Sequence, residues 1–227
     1  MPDLEREKAA AAARAVTMVQ DGMRVGLGTG STAAYAVKGL GARVRAGLKI
    51  TGVPTSERTK ALAEAEGIRL SDFTHGVSID LTIDGADEAD RSLRLIKGGG
   101  GALLREKVVA SVTKHVVIIS DSTKVVDRLG KFPLPVEVVR FAWPVVAARL
   151  SDLGAQPKLR PAPGGAPFVT DEGHYILDAG FGVIADPERI AAALDAIPGV
   201  VGHGLFIGLA HTLIVARGDD VEVIVRG

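Results

Sequence analysis

Two side chains in the middle of this 227-residue chain, Lys97 and Glu106, could together catalyse a proton transfer. Lys97 precedes four glycines, 98–101, and Glu106 lies about one turn into the helix predicted to follow. Residues 102, 106 and 110 share a face of that helix, and two of them are alanines. A carboxylate with small apolar neighbours could be partly desolvated and act as a base near neutral pH, and Lys97 could stabilise an oxyanion. Spacing alone nevertheless favours the alternative, in which Glu106 is exposed and pairs with Arg105, Lys107 or Lys114.

A second candidate is the acidic string 84–90, Asp-Gly-Ala-Asp-Glu-Ala-Asp, with four carboxylates in seven residues. Crowded carboxylates can have raised pKa values and exchange protons near neutral pH. Magnesium binding is the competing functional interpretation. A solvated loop with an aspartate helix cap is the alternative without function. It explains Glu88 and Asp90 better than Asp84, because Asp84 directly follows a predicted buried strand.

Anion-binding features occur in two further strings. The loop 28–32, Gly-Thr-Gly-Ser-Thr, precedes a predicted helix whose N-terminus, with the loop amides and the hydroxyls of Ser31 and Thr32, could hold a phosphate. A tight turn with Ser31 or Thr32 as N-cap is equally consistent. The loop lacks the third glycine of a dinucleotide fingerprint, and no acid ends the second strand, so NAD is disfavoured. The fourth string is 121–124, Asp-Ser-Thr-Lys, which follows a strongly apolar predicted strand. Its Lys124 could bind an anionic substrate or be an exposed lysine of a capped turn.

The elements around these strings alternate between strand and helix. Strands are predicted at 24–27, 48–53, 77–83 and 115–120, with a candidate at 68–70, and helices at 5–19, 33–46, 56–66 and 102–113. This alternation predicts an α/β fold, a Rossmann-like mainly parallel sheet flanked by helices. Ligands of such sheets bind at the carboxyl ends of the strands, which is where all four strings fall. We therefore expect the strings to form one cleft.

The pattern changes near the prolines at 133 and 135, where a domain boundary is predicted. Strands at 135–140, 156–160, 174–179 and 199–206, with helices at 143–153 and 187–195, predict a smaller α+β (ferredoxin-like) domain over 132–206. We expect this domain at an oligomer interface. Two β-rich pieces follow residue 212 and could return to the first sheet. The catalytic Rossmann-like domain would then comprise 1–131 plus 207–227.

Composition excludes several classes of protein. The 27 basic and 27 acidic side chains balance, which argues against a nucleic-acid partner. The chain has no cysteine, so disulfides, thiolate metal sites and a cysteine nucleophile are excluded. The five histidines show no metal-ligand spacing, so we expect no metal. No leader or spanning segment is evident, so we expect no membrane partner and a cytoplasmic location.

Taken together, seven strings resemble the type A ribose-5-phosphate isomerases, in family order along nearly the whole chain. The strings are GLGTGSTAAYAV (26–37), DGADEAD (84–90), KGGGGALLREK (97–107), SDSTK (120–124), GKFPLPVEV (130–138), FVTDEGHYILD (168–178) and IPGVVGHGLF (197–206). The resemblance implies interconversion of D-ribose 5-phosphate and D-ribulose 5-phosphate, a reaction that suits both the non-oxidative pentose phosphate pathway and carbon fixation. It implies neither metal nor organic cofactor, and a homodimer or homotetramer.

The resemblance also implies residue roles. Glu106 maps to the family's proton acceptor. For the reaction that the resemblance implies, we expect Lys97 to stabilise the enediolate and Asp84 and Asp87 to handle hydroxyl protons. The substrate-binding positions it implies are Thr29, Gly30, Ser31, Thr32, Asp84, Gly85, Ala86, Asp87, Lys97, Gly98, Gly99, Gly100, Lys124 and Lys8. A non-catalytic regulatory module that binds a sugar phosphate is the competing function. It would need the loop 28–32, here called the phosphate loop, but not Glu106.

Overall fold

Residues 3–226, the part of the chain that the computed structural model describes, form six helices and thirteen strands. The helices are α1 (Leu4–Val16), α2 (Ser31–Arg45), α3 (Glu57–Ala65), α4 (Leu103–Ser111), α5 (Trp143–Asp152) and α6 (Pro187–Asp195). The strands are β1 (Arg24–Leu27), β2 (Thr51–Pro54), β3 (Ile79–Gly85), β4 (Glu88–Ala89), β5 (Leu95–Ile96), β6 (Thr113–Asp121), β7 (Leu134–Val138), β8 (Gln156–Leu159), β9 (Tyr175–Gly180), β10 (Val200–His203), β11 (Leu205–Phe206), β12 (Thr212–Arg217) and β13 (Asp220–Val225).

The largest sheet has six strands in the order β13-β12-β6-β3-β1-β2. All neighbouring pairs are parallel except β12 and β13, which form an antiparallel hairpin. The sheet is flanked by helices, so the predicted α/β class is confirmed. Because β1, β3 and β6 run in the same direction, their carboxyl ends meet at one edge, where the candidate strings follow them.

Both faces of the central strand β6 are buried. Val117 and Ile119 of β6 pack in a cluster with apolar residues of α1, α2 and α3. The alternate residues Val116 and Ile118 face the other way, into a cluster that contains Ala110 of α4. This two-residue period is that of a strand between two layers of helix. None of the helices in residues 3–226 is both long enough and apolar enough to cross a membrane.

A second sheet is antiparallel and has the order β10-β7-β9-β8. The helices α5 and α6 pack on it around Val146, Leu150, Ile190 and Leu194. A small third sheet joins β4, β5 and β11. It brings the end of β5, where Lys97 follows, beside residues 205–206.

Three element predictions differ from the structure. The candidate strand at 68–70 is wrong, since only an isolated bridge joins Gly52 and Leu70 there. The predicted strand at 199–206 is two strands, because Gly204 approaches the Lys97 carbonyl so closely that an added Cβ would lie 2.2 Å from its oxygen. Asp84, predicted to follow β3, lies within it. The proposed two-domain division stays a prediction. Its boundary at 206 comes just after β11, which pairs with β5.

Candidate active site

A cavity of about 250 Å³ lies at the carboxyl edge of the large sheet, and all four candidate strings line it. Of the predicted binding positions, those that line it are Lys8, Thr29, Gly30, Ser31, Thr32, Gly85, Ala86, Asp87, Lys97, Gly98, Gly100 and Lys124, together with the predicted base Glu106. Asp84 and Gly99 contact residues of this lining. The convergence expected from the strand–helix alternation therefore occurs.

A larger groove, about 1020 Å³, runs beside β2 and α4, away from these strings. Two of its arginines, Arg105 and Arg24, are already engaged by the protein. Arg105 pairs with Glu57 at 2.8 Å and with Glu172 at 2.5 Å, and Arg24 donates to backbone carbonyls of Asp72 and Gly76. This groove lacks the convergence of candidate groups found in the smaller cavity, which is the better candidate site.

The Lys97 ammonium is fixed on several sides at the bottom of the cleft. Lys97 follows β5 directly, and its side chain is only 3% exposed. Its Nζ lies 3.0 Å from Asp84 Oδ2 and 3.0 Å from Glu106 Oε1. It also donates to the Gly85 carbonyl and lies 5.5 Å from the centre of the Phe206 ring. A buried cation with this many partners has one defined position, as an electrostatic catalyst requires.

The pKa of Lys97 reflects burial and two carboxylates. Burial lowers the pKa of the ammonium, but the negative charges of Asp84 and Glu106 outweigh that penalty and raise it above its ordinary value. The side chain therefore stays protonated throughout the neutral range. A permanent positive charge is available where an enediolate oxygen would carry negative charge.

Glu106 is buried, so the alternative in which it is an exposed, surface-paired residue is wrong. It lies in the first turn of α4, is 5% exposed and pairs with Lys97 rather than with its helix neighbours. One carboxylate oxygen, Oε1, accepts from Lys97, whereas buried Oε2 has no hydrogen-bond partner among residues 3–226. Burial raises the pKa of the carboxyl; the Lys97 charge opposes this shift and the Asp84 carboxylate adds to it.

The two aspartates of the acidic string occupy different environments. Asp84 is 2% exposed, and its Oδ1 accepts from the amides of Thr29 at 3.1 Å and Gly85 at 2.8 Å, while its Oδ2 faces Lys97. Asp87 lines the cleft, and its Oδ2 accepts from the Gly99 amide at 2.7 Å. Asp84 is therefore placed to hold Lys97, and Asp87 is placed to meet a ligand.

The loop 28–32 presents the N-terminus of α2 to the cleft. Gly30 is the cap residue, with φ of 114°, a conformation that favours glycine, so the alternative with Ser31 or Thr32 as N-cap is wrong. Ser31 and Thr32 begin the helix and line the cleft. The first amides of a helix and two hydroxyls together form a site suited to a phosphate.

Lysines flank this loop, and Thr29 supports it. Lys8 lines the cleft and pairs with Glu5 at 2.7 Å, and Lys124 also lines the cleft. The Thr29 hydroxyl points away, into a buried cluster with the hydroxyls of Thr55, Ser56 and Thr59 at 2.7–3.0 Å. Thr29 therefore fixes the loop through its side chain and can meet a ligand only through its backbone.

Several lining residues were not singled out from the sequence. Asp121 and Thr123 line the cleft from the string that contains Lys124, and Leu4 lies one helical turn before Lys8. Helical spacing could have identified Leu4, and position at the carboxyl end of β6 could have identified Asp121. Within residues 3–226 no three carboxylate or imidazole groups are arranged to hold a metal ion.

Comparison with known proteins agrees with this geometry. A family model described as ribose 5-phosphate isomerase A (phosphoriboisomerase A) matches residues 51–220. A protein of Sphingopyxis alaskensis named ribose-5-phosphate isomerase A is 57% identical over 100% of this chain and 99% of its own length. The one from Gloeobacter violaceus is 56% identical over 98% and 97%.

Solved structures match equally completely. A D-ribose-5-phosphate isomerase in complex with phospho-erythronic acid superposes with a TM-score of 0.96 at 38% identity, over 99% of this chain and 100% of that one. Ribose 5-phosphate isomerase A of Methanocaldococcus jannaschii gives 0.92 at 39% identity, over 96% and 97%. The likeness therefore covers both sheets and the cleft between the strings.

Proposed function

This chain belongs to the ribose 5-phosphate isomerase A family, and from that premise we propose that it interconverts D-ribose 5-phosphate and D-ribulose 5-phosphate through an enediolate. The observation that carries the proposal is the buried pair of Glu106 and Lys97, whose Nζ and Oε1 lie 3.0 Å apart at the wall of the cleft. A module that only bound a sugar phosphate would need the phosphate loop and not this pair. The phosphorylated sugar acid bound by the structural relative supports an open-chain sugar phosphate as ligand.

Glu106 is the base in this proposal. Its Oε2 removes the hydrogen of C2 as a proton, the electron pair forms the C1–C2 double bond, and the C1 carbonyl oxygen becomes an oxyanion. The proton of the O2 hydroxyl passes to O1, and Glu106 returns its own proton to C1, which gives the ketose. The raised pKa of Glu106 suits it to both steps, because a base that must also return the proton is most effective when its pKa lies near the ambient pH.

Lys97 stabilises the oxyanion, and the two aspartates support it differently. One well-placed donor to an oxyanion contributes about 3–4 kcal/mol to lowering the barrier. We assign Asp84 to fixing Lys97, because both Asp84 oxygens are occupied within the protein. We assign Asp87, which lines the cleft, to the hydroxyl protons of the sugar and to ring opening.

The phosphate lies at the other end of the cleft in this proposal. Ser31, Thr32 and the amides of the α2 N-terminus bind it, and Lys8 and Lys124 add positive charge. Binding energy at this distant group accelerates the reaction by holding C1 and C2 against Glu106.

Wider features of the enzyme belong to the same proposal. Lys97 supplies the charge that a metal ion would supply in a metal-assisted isomerase, which supports a metal-independent reaction. Phe141, which is 93% exposed, and Val145 lie beside the antiparallel sheet and support a homodimer or homotetramer contact there. We place the reaction in the cytoplasm, in the non-oxidative pentose phosphate pathway.

A turnover assay tests the function directly. The purified protein is given ribose 5-phosphate in the presence of a chelator, and formation of ribulose 5-phosphate is followed. We expect multiple turnovers, lost in Glu106→Gln. Saturable binding of ribose 5-phosphate without turnover would instead favour the regulatory module.

A further inference from the structure

One arginine of the antiparallel sheet reaches across to the polyglycine loop of the cleft. Arg160 follows β8, and its Nη1 donates to the carbonyls of Gly98 at 2.9 Å and Gly99 at 3.3 Å. The rest of its guanidinium is bound by Asp178, with Nε donating to Oδ2 at 2.9 Å and Nη2 donating to Oδ1. The Arg160 side chain is 13% exposed, so its bonds to Asp178 of β9 and to the polyglycine loop are largely shielded from solvent.

The carbonyls that Arg160 holds decide where two amides point. In a trans peptide unit the C=O and the following N–H point in opposite directions. Anchoring the Gly98 carbonyl therefore turns the Gly99 N–H toward the other side, where it donates to Asp87 at 2.7 Å. Anchoring the Gly99 carbonyl turns the Gly100 N–H the same way, and Gly100 lines the cleft.

The loop needs such an anchor because it consists of glycines. Gly98 and Gly101 have φ of 106° and 80°, and a glycine run loses more backbone entropy on ordering than any other sequence. Phe168 assists from the same side. Its ring packs so closely on Gly101 that an added Cβ would lie 2.5 Å from Phe168 Cζ, and the Arg160 guanidinium lies 5.8 Å from its centre.

We propose that Arg160 is a positioning residue of the isomerase: by holding the carbonyls of Gly98 and Gly99, it fixes Asp87 and aims the Gly100 amide at the reacting end of the sugar. The inference rests on the proposed function. The guanidinium also polarises both peptide units, which strengthens their N–H groups as donors. The phosphate loop lies elsewhere, so Arg160 acts on turnover and little on binding.

The test compares Arg160→Ala and Arg160→Lys with Arg140→Ala. Arg140 is a matched control, since it also donates to a loop carbonyl, that of Gly173 at 2.6 Å, and stacks on an aromatic ring, that of Tyr175 at 5.3 Å, but the carbonyl it holds does not belong to the polyglycine loop. For Arg160→Ala we expect kcat to fall about tenfold or more, because small misplacements of reacting groups have effects of that size. KM should change much less.

Arg160→Lys should retain more of the wild-type kcat than Arg160→Ala. An ammonium can donate to one of the two carbonyls, but it cannot at the same time form two hydrogen bonds with Asp178. Melting temperature should fall further in Arg160→Ala than in Arg140→Ala, because Asp178 loses its partner, so kcat is compared at a temperature at which every variant is folded. A kcat within about twofold of wild type, below the effect expected for misplacement, or an equal loss of kcat in Arg140→Ala, overturns the proposal.

If Arg160→Ala does not fold, the variant Asp178→Asn tests the positioning role of Arg160 instead. This variant keeps the arginine and weakens only its anchor, and we expect a smaller fall in kcat with KM retained. An unchanged kcat in Asp178→Asn then rejects the role. A wild-type protein without turnover would instead reject the proposed function, so the two failures are distinguishable.

Discussion

Replacing Glu106 by glutamine tests the role of the Glu106–Lys97 pair, because the new side chain has nearly the same shape. The variant keeps the side chain's length and leaves an amide oxygen to accept from Lys97, but it removes the base at Oε2. General-base catalysis contributes about 10²–10⁴ in rate, so kcat should fall by at least that factor, equivalent to about 3–5 kcal/mol of barrier. KM should be nearly unchanged, because the phosphate loop begins at Gly28, on a different strand end.

The same substitution should not destabilise the fold. Lys97, Asp84 and Glu106 place one positive and two negative charges in a buried cluster, and the variant leaves a balanced pair. Because burial raises the folded pKa of Glu106 above its unfolded value, ionising this carboxyl costs stability near neutral pH, and the neutral glutamine removes that cost, so the melting temperature should stay level or rise.

Kinetics of ribulose 5-phosphate formation, thermal melting and exchange of the C2 hydrogen with deuterated solvent measure these effects. Glu222→Gln is the control, since Glu222 is a half-exposed residue of β13 paired with Arg91 at 3.2 Å. A Glu106→Gln variant that retains a tenth or more of the wild-type kcat, well above the range expected for a lost base, would refute the assignment of the base.

Three further outcomes follow from buried charges. The kcat/KM of the wild type should rise with pH through the pKa of Glu106, on the alkaline side of an ordinary glutamate, since burial raises that pKa and the base form is required; a pH–rate profile measures it. Lys97→Met should abolish turnover and remove the positive charge that opposes the effect of burial on Glu106, so the folded pKa of Glu106 should rise further. Its stability loss, measured by melting, should therefore be greater at pH 8 than at pH 5. Glu7→Gln should destabilise the fold by about 2 kcal/mol by denaturant titration, because buried Glu7 accepts from the amides of Ser122 and Gly218. Since those amides hold the folded pKa of Glu7 below normal, this difference should shrink as pH falls through that pKa.

The sequence predicted which strings meet at the carboxyl edge of the sheet better than it predicted whether a given side chain is buried or exposed. Alternation of strands and helices is a local property, and it correctly brought Ser31, Asp87, Lys97 and Lys124 to one cleft. Spacing along α4 favoured an exposed Glu106. The four glycines between Lys97 and α4 let the chain turn so that the two side chains meet, and no pattern in the neighbouring residues shows this turn.

Contacts between distant segments account for what could not be predicted. Arg160 is 62 residues from Gly98, and the Thr29 hydroxyl meets partners 26–30 residues away. The split of 199–206 depends on Gly204 fitting against Lys97. Tertiary packing decides such details, and no periodicity records them.

The position of β12 between β6 and β13 has a consequence for synthesis. The strand β6 leaves the ribosome about ninety residues before its neighbour β12, which begins at Thr212. During that interval the nascent chain presents a long apolar strand with one unpaired edge, the type of surface that aggregates or recruits chaperones. Final closure of the catalytic sheet is therefore a late step of biogenesis, and slow translation beyond residue 121 would prolong the vulnerable stage.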